Sequence, residues 1–475
     1  MKTKHLIFPN LLSLALVMQA SADVIYSNLQ NIGIPATFDG LYLNVETGAW
    51  NTNMAAPVAG WDINPYYGGS VLANSPDFQP VRSGTGSSSA IVNLAAGASV
   101  GSGSVFSTFV QGVGGETPGA PGYGFSQMLT GSGGNFNASQ EGYLGFRLNG
   151  TNYGSMRVVF TNNTSGAMIK DWAYDTSGAS VVVGAIQQVG QDIILSSGFT
   201  LGSALNNSGG TTNLVKNGSS TNTLSNSNTY TGATAVNDGT LKIASTGSIN
   251  TSSGVTVAAG AKFVYNSSTS LSVGTTLNGD TTANRAVLGG TGTIDISIIL
   301  DNLGDTLSPG NSPGIQNYTA AQSWSSFSYD WEVNHFTGTT AGTDFDQISL
   351  GSTLNLSGGS GSYILNVIGL NALNESGLVP DFSEINRSWT ILTSAGTLSV
   401  FNAANWTINT AGFTDPHTGS WALDQSGNNL VLSYTAVPEP GAALLGSLGL
   451  LMLLRRGRRE KVRHHRPSRR YLKLL

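Results

Sequence analysis

Gly310-Asn-Ser-Pro-Gly314 spells the G-x-S-x-G pattern, in which a serine on a sharp strand-to-helix turn can become a hydrolase nucleophile. That turn needs a backbone N–H on the residue after the serine for its oxyanion hole. Pro313 has none, and it drives Ser312 towards extended geometry, so Ser312 reads as a turn residue. Between Asp23 and Pro440 there are two histidines, His335 and His417, in no metal-ligand spacing, and no cysteine to complete a zinc site. Asp344 and Asp346 lie two apart, on one face if their segment is a strand, and Asp301 and Asp305 sit in a loop-like stretch. Such pairs could cleave glycosides or bind Ca2+. Solvated loop and rung-edge carboxylates are the plainer reading, so no cofactor is expected, Ca2+ being the one ion these pairs would admit. Trp61-Asp-Ile-Asn-Pro-Tyr-Tyr67, with Trp50 nearby, offers Trp61 and Tyr66 either as a sugar-stacking surface or as core aromatics. No G-x-G-x-x-G or P-loop string supports nucleotide binding. The expectation is a protein that is not an enzyme.

The elements that must position these residues lie between two unusual ends. Lys2 and Lys4 precede an apolar run from Leu11 to Met18, and Ala20-Ser-Ala22 supplies the small residues of a signal-peptidase site. Residues 1–22 therefore read as a secretory signal, with cleavage at Ala20 to Ala22 leaving Asp23 as the mature N-terminus. At the other end Val437-Pro-Glu-Pro440 precedes the apolar run Gly441 to Leu454 and the cluster Arg455, Arg456, Arg458 and Arg459. Two prolines stop regular structure, an apolar helix follows, and arginines hold its end on the cytoplasmic side. At about 1.5 Å per residue the run covers roughly 21 Å, short of a bilayer core of about 30 Å. Snorkelling arginines and local thinning close the gap, giving one short transmembrane helix.

The Pro438-Glu439-Pro440 box, apolar helix and arginine cluster resemble the PEP-CTERM sorting tag of bacterial exopolysaccharide-associated proteins. The resemblance implies handling by an exosortase, a membrane protease-transpeptidase acting at or near the box. The family usually stops soon after the arginines, whereas this chain continues to Leu475 with a basic tail.

Composition bounds the body between the two ends. Glycine numbers 62 and charged residues make up only 10%, with Asn, Ser and Thr where Lys and Glu usually stand. These residues favour turns and strands over helix interiors. Without cysteine, an exported body uses no disulfides. Nine basic residues face 25 acidic ones between Asp23 and Pro440, a net −16. Nucleic acid is a poor partner for that surface, and the basic tail suits an inner membrane leaflet.

Residues 23–190 show short alternating runs such as Gly142 to Leu148, Ser155 to Phe160 and Ser180 to Val183, separated by Gly, Pro and Asn; this predicts an antiparallel β-sandwich. Gly142-Tyr-Leu-Gly-Phe-Arg147, Asn152-Tyr-Gly-Ser-Met-Arg157 and Asp171-Trp-Ala-Tyr-Asp175 resemble the N-terminal domain common in PEP-CTERM proteins, with Ser155 where its tryptophan usually stands. Residues 191–355 change to short rungs, with turn glycines Gly239 and Gly260 spaced 21 apart. That texture suggests a parallel β-solenoid, a loose set of sandwich strands being the alternative. Asn228-Thr-Tyr-Thr-Gly-Ala-Thr234 and Asn237-Asp-Gly-Thr-Leu241 resemble the autotransporter-associated β-strand repeat, and Leu307-Ser-Pro-Gly-Asn-Ser-Pro-Gly314 resembles a segment that usually follows it, which implies a secreted solenoid and no particular ligand. Residues 356–436 predict capping strands, 437–459 the sorting tag and 460–475 the tail.

The whole reads as an all-β exported structural or adhesive protein of the cell surface or extracellular matrix. Its body lies outside the inner membrane, transiently anchored, with exosortase and exopolysaccharide as partners. The alternative is a secreted carbohydrate-binding protein, or less readily a carbohydrate-cleaving one.

Overall fold

Alternation of apolar and polar residues along short runs, with glycine at the turns, builds strands that stack in register. The computed structural model describes residues 23–85, 89–106, 124–437 and 449–453. Ala20, Ala22, Pro438, Glu439, Pro440, Arg455, Arg456, Arg458 and Arg459 lie outside the described residues, as does most of the apolar run. Among the described residues no helix is long and apolar enough to cross a membrane.

One sixteen-stranded sheet runs through most of the molecule, from Phe78–Pro80 at one edge to Trp406–Gly412 at the other. Its N-terminal part is antiparallel: Glu141–Leu148 pairs with Asn152–Val159, which pairs with Met168–Asp175. A separate five-stranded antiparallel sheet contains Tyr42–Leu43, Ile63–Tyr66 and Val71–Asn74. The two share one apolar core, in which Leu43, Ile63 and Leu72 meet Leu144, Phe146, Met156 and Trp172.

Beyond residue 190 the strands are parallel and stacked. Asp192–Leu195, Asn213–Lys216, Thr234–Val236, Val255–Ala258 and Thr275–Asn278 form one wall. Phe199–Leu201, Thr221–Leu224, Thr240–Ile243, Lys262–Tyr265 and Ala286–Gly290 continue the main sheet as the other. Gly218, Gly239 and Gly260 turn the chain between walls at φ of 77°, 63° and 87°, a region open to glycine. A Cβ on Gly239 would also lie 2.5 Å from the Gly218 carbonyl oxygen, so the turns stack too closely for any side chain. This is the predicted solenoid, with its inner residues in one continuous cluster.

Three local readings are corrected. The parallel stack does not stop near residue 355: Ser326–Val333, Tyr363–Gly369 and Trp406–Gly412 are further rungs in parallel register. Capping is confined to the antiparallel hairpin of Ser420–Ser426 and Asn429–Thr435, laid against Arg387–Ser394. Asp301 and Asp305 belong to the Asp301–Pro309 strand rather than a loop. Ser312 has φ +69° rather than extended geometry, and a strand, Ile315–Tyr318, follows instead of the elbow's helix.

The junction between the two parts is a shared strand. Asp23–Tyr26 pairs antiparallel with Met168–Asp175 on one side and parallel with Phe199–Leu201 on the other. Val24, Tyr26 and Ala173 face the solenoid core, while Ile25 and Trp172 face the N-terminal core. One layer of backbone thus serves two interiors. Arg157 and Asp171, both buried, make a paired contact there: Nε to Oδ1 at 3.1 Å and Nη2 to Oδ2 at 2.6 Å. Tyr26 Oη donates to the same carboxylate at 3.0 Å, and Arg157 also donates to the Gln188 carbonyl. A buried charge pair is tolerable only when its remaining hydrogen-bonding capacity is filled in this way.

Candidate binding surface

The Ser326–Val333 strand alternates strictly. Phe327, Tyr329, Trp331 and Val333 enter the solenoid core, which leaves Ser328, Asp330 and Glu332 on the outer face of the main sheet. Register sets Asp330 beside Asn366 and Asn366 beside Asn409 on successive strands. Asn409 Nδ2 donates to Asn366 Oδ1 at 2.8 Å, and Asn366 Nδ2 donates to Asp330 Oδ1 at 2.7 Å. From the other side Arg285 Nη1 donates to both oxygens of Asp330 at 2.7 Å. The result is a four-member polar ladder crossing the sheet.

The ladder forms the floor of a groove of about 960 Å3. The loop carrying Thr282, Ala283 and Arg285 walls one side, Thr410 to Gly412 on the edge strand line the other, and Ile364 and Ile368 add an aliphatic strip. Asp330 is 9% exposed at its side chain and Arg285 34%, so the anion is sunk and the guanidinium reaches solvent. Arg285, Asn366 and Asn409 drew no attention in the sequence. The Tyr329-Asp-Trp-Glu-Val333 alternation shows that Asp330 points outward, but the strand register that joins it to the others is invisible in the chain.

The residues singled out for chemistry fall elsewhere. Tyr66 ends the Ile63–Tyr66 strand of the five-stranded sheet and Trp61 lies just before that strand, both half-buried. Trp61 meets Tyr42 edge-on at 5.3 Å, whereas Tyr66 packs with Phe38 and Tyr67 at 5.7 Å and 5.4 Å. They stand in two aromatic groups, and burial pushes the Tyr66 hydroxyl up to about 12. Trp50 is 49% exposed. His335 Nδ1 lies 3.0 Å from Asn334 Oδ1, and His417 Nδ1 lies 2.8 Å from the Asp415 carbonyl.

The acidic pairs are not solvated edges throughout. Asp346 is fully buried, accepting from the Gly314 amide at 2.7 Å and the Glu332 amide at 3.1 Å. Burial, then the neighbouring Glu332, holds its carboxyl well above the usual range. Asp305 is likewise buried and accepts from the Gly279 amide at 2.9 Å, and burial raises it too. These two carboxylates satisfy backbone N–H groups of neighbouring rungs and turns, a structural use that one-dimensional spacing does not reveal. Among the described residues no group of three or more His, Cys, Asp or Glu is placed to hold a metal ion.

Residues 214–243 match the passenger-associated-transport-repeat, the autotransporter-associated β-strand repeat. The match begins in the Asn213–Lys216 strand and ends with Thr240–Ile243, so it covers adjacent rungs of the stacked walls. This repeat is associated with autotransporter passenger domains, which are secreted surface proteins. No curated protein matches the chain.

Proposed function

We propose that this is an exported structural or adhesive protein of the bacterial surface or extracellular matrix, sorted by an exosortase and associated with exopolysaccharide. The coincidence of the repeat match with rungs stacked in register carries the reading. A solenoid of this kind offers a long rigid face and, in a body of net −16 without cysteine, depends on no disulfide. The sorting part rests on Pro438-Glu-Pro440, the apolar run and the arginines. Leu450 to Leu453 are helical and each more than 60% exposed. The β-sandwich reading of residues 23–190 is supported by the core shared between two antiparallel sheets. Carbohydrate binding is the second reading, favoured by the polar groove.

Deleting residues 437–475 tests the anchor. The full chain should fractionate with the inner membrane or, once processed, with the matrix, and the shortened chain should be soluble in the periplasm. Mass spectrometry of the mature C-terminus should place the cut near Pro438 to Pro440. An unchanged distribution after the deletion would overturn the sorting reading.

A further inference from the structure

Arg285 is held unusually firmly for a partly exposed arginine. Both oxygens of Asp330 engage Nη1, and Asp330 is fixed by Asn366, which Asn409 holds in turn. Among the described residues the other guanidinium nitrogens donate no hydrogen bond, and Arg285 lines the groove. An arginine fork whose rotamer is already set loses little entropy when it binds a planar anion, and its two remaining N–H directions suit a carboxylate. Lys262 and Lys242 stand on the same outer face on neighbouring strands, so three of the nine basic residues of the body gather there. Arg285 and Asp330 neutralise each other as an ion pair, and Lys262 and Lys242 outnumber Glu332 on the same outer face. An otherwise acidic body thus presents one face able to accept anions. The exposed Thr282 and Thr407 hydroxyls and the amides of Asn366 and Asn409 add donors and acceptors in a row across the strands.

We propose that this groove binds a carboxylated polysaccharide, a glycan containing uronic-acid units. Arg285 takes the carboxylate, Asn366, Asn409 and Thr407 take ring hydroxyls, and Ile364 and Ile368 lie under the sugar's apolar face. The inference rests on the matrix reading above for its biological setting, but the binding itself is independent of sorting.

Calorimetric titration of the purified protein with oligogalacturonate, oligomannuronate and a neutral cello-oligosaccharide of equal length tests it. At least one uronate should saturate the protein and weaken as salt is raised, with the neutral glycan at least about tenfold weaker. Arg285→Gln and Arg285→Lys should each lower uronate affinity about tenfold or more, since lysine keeps the charge but not the fork. Asn409→Ala, at an exposed edge position, should weaken binding while leaving the thermal midpoint unchanged, which separates recognition from folding. Trp61→Ala should bind as the parent does. Wild-type affinity in Arg285→Gln, equal binding of the neutral glycan, or no saturable binding of either uronate overturns the proposal. A chain that binds uronates yet ignores deletion of residues 437–475 would sink the sorting reading alone.

Discussion

Asp62 shows how a single buried carboxyl can set the pH response of the N-terminal core. It is 4% exposed and accepts from the Val45 amide at 2.6 Å, yet burial raises its pKa from 3.8 to about 6. A folded pKa above the unfolded one means that its contribution to stability is fully present below about pH 4 and is lost as pH rises through about 6. The loss is up to about 3 kcal/mol for a shift of this size. Asp62→Asn should flatten that part of the profile, so its urea midpoint should gain on the parent's between pH 4 and pH 7. Parallel profiles would refute the assignment. Lys216 is the basic counterpart: wholly buried, it occupies an inward position in register with Val236 and Val257. Its ammonium donates to the carbonyls of Asn217 and Asp238 at 2.9 Å and 3.0 Å, and also to Gly218. Burial lowers its pKa, and the turn carbonyls replace the water it gives up.

At the scale of elements, the Asp23–Tyr26 strand has the largest consequence for its size. Four residues fill the seam between an antiparallel sheet and a parallel stack, covering the edge that Phe199–Leu201 would otherwise present. Bare strand edges recruit other chains. A protein lacking residues 23–26 should therefore self-associate and become sensitive to trypsin at Arg157, whose partner Asp171 is bonded by Tyr26. Light scattering and cleavage kinetics read both effects. An unchanged sedimentation coefficient with unchanged resistance would show that the strand is dispensable.

Across the whole molecule, the two ends of the solenoid are closed differently. The N-terminal end is covered by a complete two-sheet unit, whereas the far end has one hairpin against Arg387–Ser394. That hairpin also covers an aromatic group in which Trp421 stacks on Trp389 at 5.7 Å and Phe336 meets Trp389 at 5.0 Å. Ending the body before Ser420 should uncover both a strand edge and these rings, giving larger species by size-exclusion chromatography than the intact body gives. A truncated body that stays monodisperse would mean the rungs close themselves. The strong negative charge of the body opposes such association, so high salt should promote it in the truncated form.

Much of this architecture was readable in the chain because short-range physics writes it there. Glycine turns 21 residues apart and inward Leu241, Ile243, Phe263 and Tyr265 announce a stacked rung, since period-two burial is a property of the strand itself. Trp389 and Trp406 were likewise legible as strand residues, and both lie in the core. Which strands become neighbours is a different matter. Alternation puts Asp330 on the outer face, but nothing local shows that it floors a groove while Asp346 is sealed inside, because strand register assigns each its neighbours. Asn366 and Asn409 are 43 residues apart and touch only because two rungs stack. Folding in three dimensions turned separate, unremarked polar residues into a ladder with a guanidinium at its head, by bringing distant backbone into hydrogen-bonding register.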